Sequence, residues 1–308
     1  MIAANHCGDD FAKHLADSGL VISSGPIRFL VHTKIPSVVQ NLARLYSGLA
    51  CSIDESDTAF FDFHIAVRPP NLFRKLWHRQ AQFFLDDQII FNPFPVHHAT
   101  AMLEWGMNWC VSTQINTYLI IHAAVIEKNG FAVVLPAPPG SGKSTLCASL
   151  VLEGWRLLSD ELTLINLQSA NAVPIPRPIG LKNQSIQVIR DRYPDAIMGL
   201  VSSDTLKGSV SHLKPPESSI QMQAVECPVA WIVFPKYQEN AATQIIPKAK
   251  GQSFMAIADN AFNFSHLGSV SFGILKQVVE NAQCYDFCYS QLDEAITVFN
   301  KLARPNEF

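Results

Sequence analysis

Phe131-Ala132-Val133-Val134-Leu135-Pro136-Ala137-Pro138-Pro139-Gly140-Ser141-Gly142-Lys143-Ser144-Thr145-Leu146 holds the strongest signal in the chain. A β-branched apolar run enters a loop of proline and glycine, and Gly-Lys-Ser-Thr then opens a helix. That order suits a phosphate-binding loop. Backbone N–H groups of the loop point inward at phosphate oxygens, and the helix N-terminus adds partial positive charge. Pro139, Gly140, Ser141, Gly142, Lys143, Ser144 and Thr145 are the expected nucleotide-binding residues. Lys143 can reach the β- and γ-phosphates of ATP, and the Ser144 hydroxyl is placed to ligate Mg²⁺. Ala137 stands where the general pattern has its first glycine, which alanine can replace if φ there is negative.

Downstream, Gly154-Trp155-Arg156-Leu157-Leu158-Ser159-Asp160-Glu161 is an apolar strand ending in two carboxylates. A strand end one helix after a phosphate loop is where Mg²⁺ takes its second protein ligand. Adjacent residues of an extended strand point to opposite sides. One carboxylate can therefore hold metal while the other faces a nucleophile; a solvated strand end is the alternative. Upstream, His122 interrupts the apolar strand Tyr118–Ile126, which the Glu127-Lys128-Asn129-Gly130 turn joins to the loop-feeding strand. It is either a core histidine or a residue that orients a carboxylate. Arg156, Arg177, Lys182, Lys207, His212 and Lys214 are the further cations near the candidate loops, and phosphoryl transfer needs positive charge on the γ-phosphate.

The surrounding chain of 308 residues is long enough for about two domains, and 48% hydrophobic residues can fill more than one core. Residues 1–96 read as a β-rich unit: strands at Ile27–His32 and Phe60–Val67, and a hairpin around Asp86-Asp87. Asn92-Pro93-Phe94-Pro95 is the expected boundary. Residues 97–308 then form an α/β unit, opened by a helix over His98–Asn116 whose apolar circumference predicts burial between the two units. Helices are predicted over Lys143–Glu153 and Ser185–Arg192, a long polar loop over Asp204–Ser219, and strands at Val229–Phe234 and Thr243–Ile246. Three helices fill the remainder, the last capped by Ser290. A formal charge of −3 gives no basic excess for nucleic acid or anionic membrane, and the apolar stretches fall short of the ~20 residues of a membrane helix. Mean hydropathy is +0.13. Seven scattered cysteines and an N-terminus without an apolar core predict reduced thiols in a cytoplasmic protein.

Taken together, these motifs resemble the HPr kinase/phosphorylase superfamily, and more closely its HPr-kinase-related subfamily A. The likeness covers roughly His98 to Asn300. It rests on the histidine strand Leu119–Val125, the Pro-Gly-Ser-Gly-Lys-Ser-Thr loop, the segment Gly154–Glu161, and Pro176-Arg177-Pro178-Ile179-Gly180-Leu181-Lys182-Asn183, in the superfamily's order. The resemblance implies an α/β P-loop nucleotide-binding domain of the HPr kinase/PEP carboxykinase-like kind, preceded by the smaller β-rich N-terminal domain. It implies Asp160 as the metal-side carboxylate, Glu161 as general base, and His122 as the histidine supporting that base. Arg177 and Gly180 fall in the region of the signature loop. Glu161 replaces the family's second aspartate and Ala123 its glycine after the histidine. Subfamily A resembles companions of small peptide chaperones of the PqqD kind, which implies a peptide or peptide-carrier substrate; the superfamily's hexamers allow a homo-oligomer.

The expected activity is an ATP- and Mg²⁺-dependent kinase acting on a hydroxyl, foremost a serine of a protein or peptide. A small-molecule kinase is the second reading. The third is an ATP-gated binding module without transfer, kept open by Ala137 and Glu161. No Asn-Lys-x-Asp and no Leu-Ser-Gly-Gly-Gln segment occurs, which disfavours a GTPase switch or an ABC-type motor.

Overall fold

Tyr118–Lys128 is the strand around which the second half of the chain is built, and it is buried along nearly its whole length. In this computed structural model, which describes residues 8–52 and 60–302, it lies inside a sheet of eight strands. The order runs Ala172–Val173, Leu162–Asn166, Tyr118–Lys128, Phe131–Pro136, Val229–Tyr237, Gln283–Tyr289, Gln244–Pro247. Arg156–Ser159 pairs with the far end of Tyr118–Lys128. Phe131–Pro136, Val229–Tyr237 and Gln283–Tyr289 run parallel, as α/β connections produce.

Both faces of this sheet are covered, which is why its strands read as continuous apolar runs rather than alternating ones. Ala124, Ile126, Val133 and Leu135 pack with the helices Lys143–Leu152 and Leu292–Leu302. Ile121, Ala123, Val125 and Val134 pack on the other side with Lys250–Asp259 and Ser269–Asn281. His122 shares the parity of Ala124, so it belongs to the face that carries the Lys143–Leu152 helix.

The first sheet in chain order has seven strands within the first hundred residues, ordered Ala50–Ser52, Leu20–Ser24, Ile27–Thr33, Phe63–Arg68, Gln80–Leu85, Gln88–Ile89, with Phe94–Pro95 pairing Gln80–Leu85. The Asp86-Asp87 hairpin forms with both aspartates at positive φ (48° and 61°), the geometry of a tight primed turn. The helices Gly8–Ala16, Pro36–Leu45 and Leu72–Leu76 in this region have no counterpart in the sequence reading. The predicted helix is observed as Ala99–Gln114 and packs on the first sheet. One apolar cluster runs from that sheet through Met102, Met107 and Val111 to Leu162, Leu164 and Ile175. No helix of the described residues is long and apolar enough to cross a membrane.

Two predicted segments are corrected. Asp204–Ser219 is not a long loop: Ser202–Thr205 and Gly208–Leu213 form a hairpin that pairs with Ile179–Lys182, and Glu217–Gln221 is helical. The hairpin is held by Asn183, whose Oδ1 accepts from the Ser209 N–H at 3.1 Å, a tie to a distant residue that local composition cannot reveal. Gln283–Tyr289 is a strand where helix was expected. Ser290 does not cap the last helix; its hydroxyl donates to the Ala241 carbonyl at 2.8 Å.

Candidate active site

The break between Arg156–Ser159 and Leu162–Asn166 creates the site. The two short strands line up successively along one edge of Tyr118–Lys128, with Leu162 paired to His122 and Ser159 to Val125. Asp160 and Glu161 occupy the interruption and are set beside His122. On the other side of His122's strand, Phe131–Pro136 ends and Ala137–Gly142 turns into the helix Lys143–Leu152. A cavity of about 470 Å³ collects all of these pieces. It is lined by Pro139, Gly140, Ser141, Gly142, Lys143, Ser144 and Thr145 together with His122, Asp160, Glu161 and Arg177.

The loop is shaped by two left-handed glycines, Gly140 and Gly142, both at φ 83°. At Gly142 a side chain is excluded twice over. The backbone conformation disfavours one, and a Cβ would lie 2.5 Å from the Tyr289 hydroxyl. That hydroxyl instead donates to the Gly142 carbonyl at 3.0 Å, and the Tyr237 N–H donates to the Ser141 carbonyl at 2.8 Å. The loop is thus clamped from the neighbouring strands. Ala137 is buried and has negative φ, so the missing first glycine costs the backbone nothing.

Lys143 is only 8% exposed, and its Nζ has no hydrogen-bond partner; the Ser141 hydroxyl in the same loop has none either. Burial holds the Lys143 ammonium below its ordinary pKa, against the opposing pull of Glu161 and Asp160. Unpartnered buried donors of this kind cost several kcal/mol unless an anion completes them (roughly 1–3 each, more when charged). A phosphate group is the matching acceptor.

The two carboxylates are held differently. Asp160 Oδ2 accepts from the Gly180 N–H at 2.8 Å, and burial followed by the Glu161 charge raises its pKa to about 6. Glu161 Oε2 accepts from Asn108 Nδ2 at 2.7 Å. Burial pushes the Glu161 carboxyl up, but Lys182, Lys143, Lys207 and His122 together outweigh it and hold it below the usual range. His122, its ring 5.9 Å from that of Phe262, is lowered to about 4 by burial and by Lys143, so it stands neutral near pH 7. His212, also in the lining, is lowered to about 4, chiefly by burial. A neutral histidine beside an ionised glutamate can orient it without competing for its charge.

Of the six further cations read from sequence, Arg177, Lys182, Lys207 and His212 line the cavity. Arg156 does not: it is buried in an ion pair with Glu127 and donates to the Met222 and Val225 carbonyls, a structural tie. Lys214 donates to the Ser47 hydroxyl instead. Arg177 is 7% exposed, and its Nη1, 3.9 Å from Glu104 Oε2, makes no hydrogen bond.

Glu104, Trp105 and Asn108 of the Ala99–Gln114 helix also line the cavity, and the sequence reading missed them as site residues. Trp105 stands half-buried with Lys207 Nζ 5.3 Å from its ring centre. The available signal was Glu104 and Asn108, polar residues four apart and hence on one face of an otherwise apolar helix. Among the described residues no three His, Cys, Asp or Glu side chains converge as a metal cage. Mg²⁺ bound with nucleotide does not require one, since it keeps waters and takes one or two protein ligands plus phosphates. Ser144 and Asp160 both line the cavity and carry oxygen atoms of the kind such an ion takes.

A family model described as SynChlorMet cassette protein ScmC matches residues 98–178, a span that starts at the Glu104 helix and ends just past Arg177. A comparison with curated proteins finds no match. Among solved structures, the HPr(Ser) kinase/phosphatase from Coxiella burnetii aligns over 59% of this chain and 96% of its own, with 11% identity and a TM-score of 0.28. At that score the likeness positions no residue.

Proposed function

We propose that the cavity is a phosphoryl-transfer site that takes ATP and passes its γ-phosphoryl to a hydroxyl, foremost a serine of a protein or peptide. The observation that carries this reading is the buried Lys143 Nζ, unpartnered and lining a loop built for phosphate. Backbone N–H groups from Gly140 to Thr145 and the Lys143 ammonium hold the phosphates. Bound Mg²⁺, held by Ser144 and Asp160, supplies charge neutralisation of the phosphate oxygens.

In the transfer the acceptor oxygen forms a bond to the γ-phosphorus, and the bond to the β-bridging oxygen breaks, releasing ADP. The acceptor proton goes to Glu161, which Asn108 and neutral His122 orient. Arg177, Lys182 and Lys207 stabilise negative charge on the transferring group. Little base strength is required, because the transition state is loose and positioning dominates. Glu161 can thus act with a pKa below the ordinary range. The peptide assignment follows the family resemblance, as does a link to a PqqD-like chaperone.

The test is incubation with γ-labelled ATP and Mg²⁺, with and without host lysate, comparing wild type with Lys143→Ala. Label on a lysate protein or peptide from wild type alone supports the reading. Undiminished nucleotide binding by Lys143→Ala, followed by equilibrium dialysis, overturns the phosphate-loop assignment.

A further inference from the structure

The first sheet carries a cavity of its own, about 410 Å³, that the phosphoryl-transfer reading does not use. Lys34, Arg68, Arg74, Lys75 and Arg79 line it against a single carboxylate, Asp87. In a chain of formal charge −3 this is a local segregation of positive charge. Asp87 is already engaged by Arg68 at 2.9 Å. Among the described residues no carboxylate lies within ion-pair distance of Arg74, Lys75 or Arg79. The polar wall is completed by His32 and His64, whose Nδ1 and Nε2 are 3.1 Å apart.

Beside the cavity, the short helix Leu72–Leu76 and the following Trp77 leave Leu72, Phe73, Leu76 and Trp77 exposed by 61–83%. Phe73 and Trp77 stack with ring centres 6.4 Å apart. This ridge interleaves with Arg74 and Lys75, so apolar and cationic surface alternate along a few residues. Exposed apolar residues clustered in this way mark interaction sites rather than ordinary surface.

We propose that this cavity and its ridge dock an acidic peptide segment that also carries apolar side chains. The cations around the cavity take carboxylates, and the ridge takes the apolar side chains, so each half of the site has its complement. A bilayer would meet the ridge but presents a flat headgroup plane to cations arranged around a cavity. Nucleic acid calls for a track of positive charge along a groove rather than one pit.

The docking segment belongs to the substrate, a point that rests on the proposed function; the binding itself does not. Val96 borders this cavity and Trp105 the first one. Nine helical positions between them amount to about 14 Å. An extended peptide covers that in roughly four or five residues at about 3.3 Å each. One short chain can therefore dock here and present a hydroxyl at the first cavity.

The experiment titrates the full chain into a short fluorescein-labelled peptide of glutamate and tryptophan and reads anisotropy. Saturable binding is expected, weakened about tenfold or more by Arg68→Gln/Arg74→Gln/Arg79→Gln and separately by Trp77→Ala. Lys236→Gln/Lys276→Gln and Lys143→Ala should bind as wild type does. Intact binding by Lys143→Ala separates this site from the nucleotide site even if no phosphoryl transfer is ever detected. Absence of binding by wild type, or equal weakening by the Lys236/Lys276 control, overturns the proposal. So does capture by phosphatidylserine vesicles, lost in the triple variant, when the peptide does not bind.

Discussion

Asn108 holds the Glu161 carboxylate, the group to which the proposed transfer gives its acceptor proton. Its Nδ2 donates to Glu161 Oε2, and its own Oδ1 is buried without a partner. Glu161→Gln should retain ATP and Mg²⁺ yet lose transfer by about 10²-fold or more in single-turnover measurements. Asn108→Asp replaces the donor with a like charge, which drives a proton onto one of the two carboxylates and moves the rising limb of the rate profile to higher pH. An unshifted profile would remove Asn108 from the positioning of Glu161. His212 gives a stability prediction. Its folded pKa of about 4 lies below the ordinary 6.5, so the unfolded chain takes up its proton first as pH falls. Stability is therefore present above pH 6.5 and lost between 6.5 and 4, by about 3 kcal/mol for this group. Calorimetry should show His212→Gln gaining on wild type over that window, and a constant difference would refute it. Lys143, Asp160 and Glu161 could be singled out from sequence because the loop's chemistry dictates residue types at fixed spacing. Glu104 and Asn108 offer only the weaker signal of two polar residues on one face of an apolar helix, and Trp105 offers none, since the helix reaches the cavity through its docking.

At the scale of elements, the Ala99–Gln114 helix approaches the first sheet closely enough to require a glycine. A Cβ on Gly106 would fall 2.1 Å from the ring of Phe83, which is fully buried. Alanine improves helix propensity by about 1 kcal/mol. Forcing the ring aside costs roughly 1–3 kcal/mol, and more at so short a distance. Gly106→Ala should therefore destabilise the protein by a net 1–2 kcal/mol or so, read as a lowered urea midpoint. A stabilised variant would mean that the helix stands further from the sheet than described. The same close packing explains which elements were legible. Tyr118–Lys128 and Phe131–Pro136 are buried on both faces and declare themselves as apolar runs. Gly208–Leu213 is anchored by Asn183, and Gln283–Tyr289 takes its place from pairing with Val229–Tyr237, so neither is specified by its own residues alone.

At the scale of the whole molecule, a buried polar chain ties the first sheet's surroundings to the cavity that Lys143 and Asp160 line. The Tyr46 hydroxyl donates to Glu104 Oε1 at 2.7 Å, and Glu104 Oε2 faces Arg177 at 3.9 Å. All three are buried, and burial raises both the Tyr46 hydroxyl and the Glu104 carboxyl above their ordinary ranges. The charge of Arg177 opposes that rise for Glu104. Glu104→Ala would strand a buried guanidinium and a buried hydroxyl together, at about 3–5 kcal/mol. Glu104→Gln keeps an acceptor for Tyr46 and should cost less, while freeing Arg177 from its carboxylate. The apolar cluster that passes from the first sheet to Leu164 and Ile175 implies that the loss is felt by the molecule as one unit. Denaturant unfolding of Glu104→Ala should shift to a lower midpoint with coincident transitions by tryptophan fluorescence and circular dichroism. Two separated transitions would instead mean that the chain before Pro95 unfolds on its own, and that the Tyr46–Glu104–Arg177 chain bridges two bodies rather than bracing one.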